Sequence, residues 1–185
     1  MRRVLTCRNP DVATPDREQP QAPRERCAIA AATIIHQAYQ HLGLNAAAPT
    51  PQQRFATAMA AYPIAGALVD LMGVPEADMP DVPRLALSVL WAKTIDPALP
   101  RADQAARFGE YITTAMTIYE GIVFPEGGAS PSPEAQQLLD LTGKTAAAYY
   151  QSNDPRGVEG IAQLILMLAG MIEDDVAPGP FVVPG

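Results

Sequence analysis

The chain contains very few of the residues from which metal centres and disulfide frameworks are built. Only two cysteines and two histidines occur in 185 residues. Cys7 and Cys27 are too widely spaced for a cysteine metal motif, and His36 and His41 belong to neither H-E-x-x-H nor E-x-x-H. The sequence therefore predicts no metal site, and both thiols are expected to be reduced.

Long apolar runs and nucleotide-binding motifs are lacking as well. The longest apolar stretch is Ile161–Ile172, which is shorter than the roughly 18 to 20 residues that span a bilayer. Only Val4 and Leu5 are strongly apolar ahead of Cys7, whereas a signal peptide needs roughly 7 to 15 such residues. The sequence carries no phosphate-binding loop and no serine or cysteine hydrolase signature. We expect a cytoplasmic protein with no membrane segment and no cofactor.

Aromatic side chains make up only 6% of the chain, so the core must be filled by other residues. Apolar residues nevertheless reach 48%, and charged residues only 18%. Alanine and the aliphatic side chains that supply this apolar content favour closely packed helices over a β-sandwich. A chain of this length usually forms one domain. The composition therefore predicts an all-α, single-domain bundle.

Positive charge is concentrated at the start of the chain. Residues 1–26 hold six arginines and four acids, whereas the whole chain has a net charge of −7. The acidic remainder would repel phosphate, which makes nucleic-acid binding an unfavoured function. The arginine-bearing segment keeps a small nucleic-acid-binding regulator as the third hypothesis.

Proline marks both ends of the expected domain. Residues 1–23 contain four prolines and no hydrophobic period, which is typical of an extended or disordered arm. Residues 177–185 contain three more prolines around the apolar residue Phe181, which predicts an extended tail. The segment between them, 24–176, is expected to form about six helices.

Apolar residues recur at steps of three and four along this domain, as they do on one face of a helix. The pattern predicts a first helix over about 24–44 and a third over about 82–95, with Leu85 and Val89 turned inward. The segment 73–83 is rich in proline and acids and is expected to be a loop.

Prolines indicate where the other helices begin or bend. Pro63 lies inside the second helix and should kink it or split it in two. Pro100 suits the first turn of a fourth helix. Ser132-Pro133 and Asp154-Pro155 each combine an N-cap residue with proline at the first helical position, which predicts the starts of the fifth and sixth helices.

The sixth helix is apolar on nearly every side, so it must be covered all round. It is therefore either the central helix of the bundle or, on its outer side, a subunit interface. We expect the interface residues to be Leu164, Leu168, Met171 and Phe181. The favoured function is a non-enzymatic interaction or regulatory module that self-associates, most simply as a dimer, with another protein as an alternative partner.

Two residues are weak candidates for catalysis. Asp70 is the only charge between Pro63 and Glu76, and a carboxylate that borders an inward helix face must pair or take up a proton. His36 is a candidate acid or base, although it falls on the polar side of the first helix. The competing interpretations are an exposed acid near a helix end and a surface histidine. The balance of these features is against an enzyme.

Four tyrosines would suit a pocket that holds an apolar ligand with one polar group. They are Tyr62, Tyr111, Tyr119 and Tyr149. Tyrosines at helical spacing are more often core or interface anchors. The pocket is the basis of the second hypothesis, a small-molecule-binding bundle or a cofactor-independent enzyme.

Overall fold

The computed structural model describes residues 21–41, 49–91, 99–125 and 130–173. These residues form six α-helices and no β-strand, which confirms the prediction of an all-α bundle. The helices are α1 Pro23–His41, α2 Pro51–Leu71, α3 Val82–Trp91, α4 Arg101–Val123, α5 Pro133–Ser152 and α6 Pro155–Gly170. Most of the arm expected over 1–23 and the whole tail expected over 177–185 lie outside the described residues.

Three helices begin at the combination of a capping side chain and a proline. Thr50 and Gln53 form a reciprocal capping box, in which the Thr50 hydroxyl accepts from the Gln53 amide and the Gln53 side chain accepts from the Thr50 amide. Ser132 accepts from the amide of Ala135, and Asp154 from that of Arg156. Each cap satisfies a backbone donor that the first helical turn leaves open. The predicted starts of α5 and α6 are therefore confirmed.

The central helix is α2, which contacts each of the other five α-helices. Twelve of its 21 residues are buried, and they lie all around the helix. The alternative that the sixth helix is central is therefore wrong. The helix α6 packs against α1, α2 and α5 on one side, whereas Leu166 and Met167 are 38% and 54% exposed.

Pro63 lies inside α2 without dividing it, because one continuous helix runs from Pro51 to Leu71. Gly143 of α5 packs directly on this point. A Cβ built on Gly143 would stand 2.9 Å from the carbonyl oxygen of Pro63. A glycine is required here because the backbones of the two helices approach closely at the crossing.

The inward face of α3 differs from the predicted one. Val82, Leu87 and Trp91 are fully buried, whereas Leu85 is half-buried and Val89 is 49% exposed. The segment predicted as loop contains a 3₁₀ helix, Glu76–Asp81, which leads straight into α3. Leu85 packs against the edge of the core, so the prediction is wrong for Val89 and missed Val82, Leu87 and Trp91. The part of the predicted helix beyond Trp91 lies outside the described residues.

The proposed interface residues of α6 lie mostly in the core of their own chain. Leu164 is 5% exposed and Leu168 is 0% exposed, while Met171 is half-buried. Phe181 lies outside the described residues. A side chain that is already buried presents little surface to a second subunit, so Leu164 and Leu168 are corrected to core residues. Within the described ranges, none of the helices combines the length and the hydropathy needed to cross a membrane.

Candidate functional site

The structure places the two catalytic candidates on the surface. Asp70 is exposed at the next-to-last position of α2 and faces water, not the core. His36 is exposed on α1, where its Nε2 accepts from the side-chain amide of Gln40 at 3.0 Å. Neither residue has the partly desolvated setting in which catalytic acids and bases are usually found. The register of α2 continues through Pro63 and carries Asp70 outward.

Cys27 lacks the features of a reactive thiol. It is fully buried in α1, and burial raises the pKa of its thiol. A nucleophilic cysteine needs the opposite shift, because the thiolate is the reactive form. Among the described residues, no group of three or more histidine, cysteine or acidic side chains is arranged to hold a metal ion.

The four tyrosine candidates are separated into three places. Tyr62 and Tyr119 line one cavity between α2 and α4. Tyr111 lies fully buried on α4. Tyr149 of α5 is half-buried and donates its hydroxyl to the side-chain oxygen of Gln37 at 2.8 Å. The structure therefore brings together two of the four.

Tyr111 belongs to a buried polar cluster that holds α1, α2, α3 and α4 in register. Its hydroxyl donates to the backbone carbonyl of Arg54 at 2.7 Å and accepts from the indole nitrogen of Trp91 at 3.3 Å. The ring of Trp91 meets the ring of Tyr39 edge-on, with centroids 6.2 Å apart. Aromatic rings in this geometry attract each other beyond the effect of burial.

Tyr39 completes the cluster from α1. Its hydroxyl donates to the carbonyl of Gln53 at 3.1 Å and shares a short hydrogen bond with Thr57. Burial raises the pKa of Tyr39 to about 12, although the hydrogen bond with Thr57 opposes the shift. Burial also lowers the pKa of Arg54, whose side chain is only 6% exposed, against the influence of Tyr111 and Tyr39. The cluster joins side chains and backbone groups of four helices, so it stabilises their packing.

An apolar cavity of about 120 Å³ lies beside this cluster, between α2 and the middle of α4. Its lining residues are Ala58, Met59 and Tyr62 from α2 and Ile112, Ala115, Met116 and Tyr119 from α4. The walls are methyl, thioether and aromatic groups, and among the described lining residues the two phenols supply the only side-chain oxygens. The arrangement is that of a small apolar pocket with two polar groups, the hydroxyls of Tyr62 and Tyr119.

The two phenols of this cavity are available to a guest. Tyr62 is 36% exposed and Tyr119 is half-buried. In the part of the chain that the structure describes, neither hydroxyl is hydrogen-bonded to another residue. A tyrosine hydroxyl can both donate and accept, so either phenol can bind a polar group of a molecule that enters the cavity.

Sequence reasoning identified the tyrosines but missed the other walls. Met59 and Met116 belong to helices far apart in the sequence, and their meeting depends on how α4 lies against α2. Methionine is flexible and fills irregular spaces, so it is common where a pocket must adapt to its occupant. The sequence offered one signal for this cavity, which is a methionine followed three residues later by a tyrosine in both α2 and α4.

Comparisons with known proteins add no assignment to this site. No protein-family model matches the chain, and no curated protein or solved structure is significantly similar to it.

Proposed function

We propose that the protein binds a small, largely apolar molecule in the cavity between α2 and α4. The observation that supports the proposal is the cavity itself, because native interiors are close-packed and contain few voids larger than a water molecule. The cavity is partly open to solvent at Tyr62, which is 36% exposed, so a guest can enter it. A ligand that fills the space gains contacts with apolar walls that have no packing partner there.

The dimensions and walls of the cavity restrict the ligand. The volume of about 120 Å³ is smaller than that of an apolar cavity of roughly 150 Å³ that takes up benzene in another protein, but this cavity is partly open at Tyr62, so it can hold one small ring whose substituent reaches the opening. The phenols of Tyr62 and Tyr119 favour a ligand with one hydroxyl or carbonyl group. Benzyl alcohol has this size and chemistry, and it is the probe that we would use.

The two methionines in the cavity wall allow a direct test. With the methionine methyl groups labelled for NMR, benzyl alcohol should shift the signals of Met59 and Met116, because a bound ring lies against both. The signal of Met167, which is 54% exposed on α6, should stay in place. Equal shifts at all three methionines, or no shift at millimolar benzyl alcohol, would contradict the proposal.

A variant that fills the cavity gives the first quantitative prediction. Ala115 is buried in the cavity wall, so Ala115→Leu should occupy the space, raise the free energy of unfolding by about 1 kcal/mol and abolish the shifts at Met59 and Met116. The matched control is Ala106→Leu, since Ala106 is an exposed residue of the same helix. Binding that survives Ala115→Leu would place the ligand elsewhere.

A second candidate function is self-association through the outer side of α6. The observation that favours it is the exposure of two neighbouring large apolar side chains, Leu166 and Met167. Exposed apolar groups that lie together are typical of interaction sites. We propose that a second copy of the chain covers them.

Sedimentation velocity tests this second candidate. The full chain should sediment as a dimer at micromolar concentration, and a double substitution of Leu166→Glu and Met167→Glu should return it to a monomer. Both side chains are exposed, so the substitutions should leave the helical circular dichroism unchanged. A monomeric wild-type chain would remove this candidate and leave the ligand-binding proposal intact.

A further inference from the structure

A second opening in the bundle has a different chemistry from the apolar cavity. It is an open groove of about 620 Å³ between α1, α3 and α4, a volume in the usual range of small-molecule sites. Arg24, Arg84 and Arg101 line it, and we refer to it as the arginine groove. Each arginine belongs to the first turn of a different helix.

The concentration of positive charge here is unusual for this chain. The described residues contain eight lysines and arginines, and three of them line this one groove, although the chain as a whole has a net charge of −7. Asp81 is the only acid among the described residues of the lining. Three guanidinium groups, the carboxylate of Asp81 and that of Asp78 beside Arg24 give the groove a net charge of +1, opposite in sign to that of the protein.

The protein itself neutralises little of this charge. Arg24 pairs with Asp78 at 3.4 Å, but both side chains are more than a third exposed, and an exposed pair of this kind contributes little. Arg84 and Arg101 form no ion pair with any carboxylate among the described residues. Their guanidinium groups remain available to a soluble anion.

The rest of the lining is partly apolar. Phe108 is 7% exposed and Leu85 is half-buried, and both lie in the groove wall beside the arginines. Gln104 donates its side-chain amide to the carbonyl of Leu99 at 2.7 Å, which leaves its own oxygen free to accept. A ligand that complements these walls carries both a negative group and an apolar body.

We propose that the arginine groove binds a small phosphorylated molecule, with the phosphate held by Arg24, Arg84 and Arg101 and the apolar part against Leu85 and Phe108. Guanidinium groups bind phosphate through paired, charge-assisted hydrogen bonds. A phosphate offers three acceptor oxygens to the three guanidinium groups, whereas a carboxylate offers two. This site is separate from the apolar cavity, which lies farther along α4.

The test is calorimetric titration of the full chain with phenyl phosphate. Binding should be measurable at millimolar concentration and should weaken as salt is added. Arg84→Gln and Arg101→Gln should each weaken it about tenfold, whereas Arg156→Gln, which removes an exposed arginine of α6, should leave it unchanged. No binding to the wild type, or equal binding by Arg84→Gln and Arg156→Gln, overturns the proposal.

Two further titrations separate this site from the alternatives. Benzoate offers the same ring with one negative charge and should bind more weakly than phenyl phosphate; equal or tighter binding of benzoate overturns the phosphate assignment. Ala115→Leu closes the apolar cavity and should leave phenyl phosphate binding intact. Loss of binding in that variant would place the phenyl ring in the cavity and overturn the proposal for the groove, while supporting the function proposed for the cavity.

Discussion

The helices α2 and α4 are similar in length but are held in the bundle very differently. Twelve of the 21 residues of α2 are buried, whereas only four of the 23 residues of α4 are buried. All five other helices contact α2, while α4 packs mainly against α2. The apolar cavity and the arginine groove both have α4 as one wall. The well-packed helix therefore supports the fold, and the sparsely packed helix contributes a wall to both of the sites that we propose bind ligands.

The largest expected effect on the free energy of unfolding comes from truncating a buried isoleucine, and we compare one isoleucine of α2 with one of α4. Ile64 of α2 is fully buried, so Ile64→Ala should lower the free energy of unfolding by about 2–5 kcal/mol through lost contacts and a new void. Ile118 of α4 is half-buried, so Ile118→Ala should cost about 1 kcal/mol. Urea unfolding followed by circular dichroism measures both values. Equal losses would show that α4 is as well packed as α2.

The second prediction concerns the crossing of α2 and α5. Gly143→Ala would place a methyl group 2.9 Å from the carbonyl oxygen of Pro63, and we expect a loss of about 1–3 kcal/mol because neither backbone can move aside easily. Gly66→Ala, on the exposed side of α2 with open space around it, should instead stabilise the protein by about 0.5–1 kcal/mol. The same urea experiment serves for both, and a stable Gly143→Ala variant would mean that the helices are not held closely at Pro63.

The third prediction uses pH to test how firmly α1 is held against α2. Burial raises the pKa of Tyr39 from its ordinary value of 10 to about 12. A raised pKa contributes stability that is fully present below pH 10 and is lost as the pH rises through about 12. We expect urea unfolding midpoints to be constant near neutral pH and to fall steadily above pH 10.

The Tyr39→Phe variant is the control for this pH dependence. It removes the ionisable group and the hydrogen bond to Gln53, so it should be less stable than the wild type at pH 8 and should lose less stability above pH 10. Tyr111 is also fully buried with a raised pKa, so part of the alkaline effect should remain. An unchanged pH profile in Tyr39→Phe would assign the whole effect to other groups.

The central position of α2 could have been predicted from one feature of the sequence. No charged residue occurs between Arg54 and Asp70, a longer uncharged stretch than the one in α6. The alanine content of this stretch made it look less hydrophobic than α6, whose leucines and isoleucines suggested the central element. Small side chains suit a central helix because they let several neighbours approach closely, as Gly143 does at Pro63.

The candidate sites were less predictable than the fold. The prediction for Asp70 required its carboxylate to border the inward face of α2. The register of the helix instead places Asp70 on the exposed side, where it faces water. Tyr62 and Tyr119 line one cavity, whereas Tyr111 and Tyr149, which were placed with them on the same reasoning, lie elsewhere. Residue type alone does not distinguish a phenol that lines a pocket from one that anchors a core.

The sequence by itself determined the all-α class and several helix starts. The apolar period is a property of one helix, and the caps at Ser132 and Asp154 involve residues only two or three positions away. Both can therefore be recognised in the sequence without knowing which helices pack together. Only the tertiary structure decided that α2 is central and α4 sparsely packed. It also decided that Arg24, Arg84 and Arg101 share one groove. Those outcomes depend on which helix faces pack together, and that choice is made by contacts between residues distant in the chain.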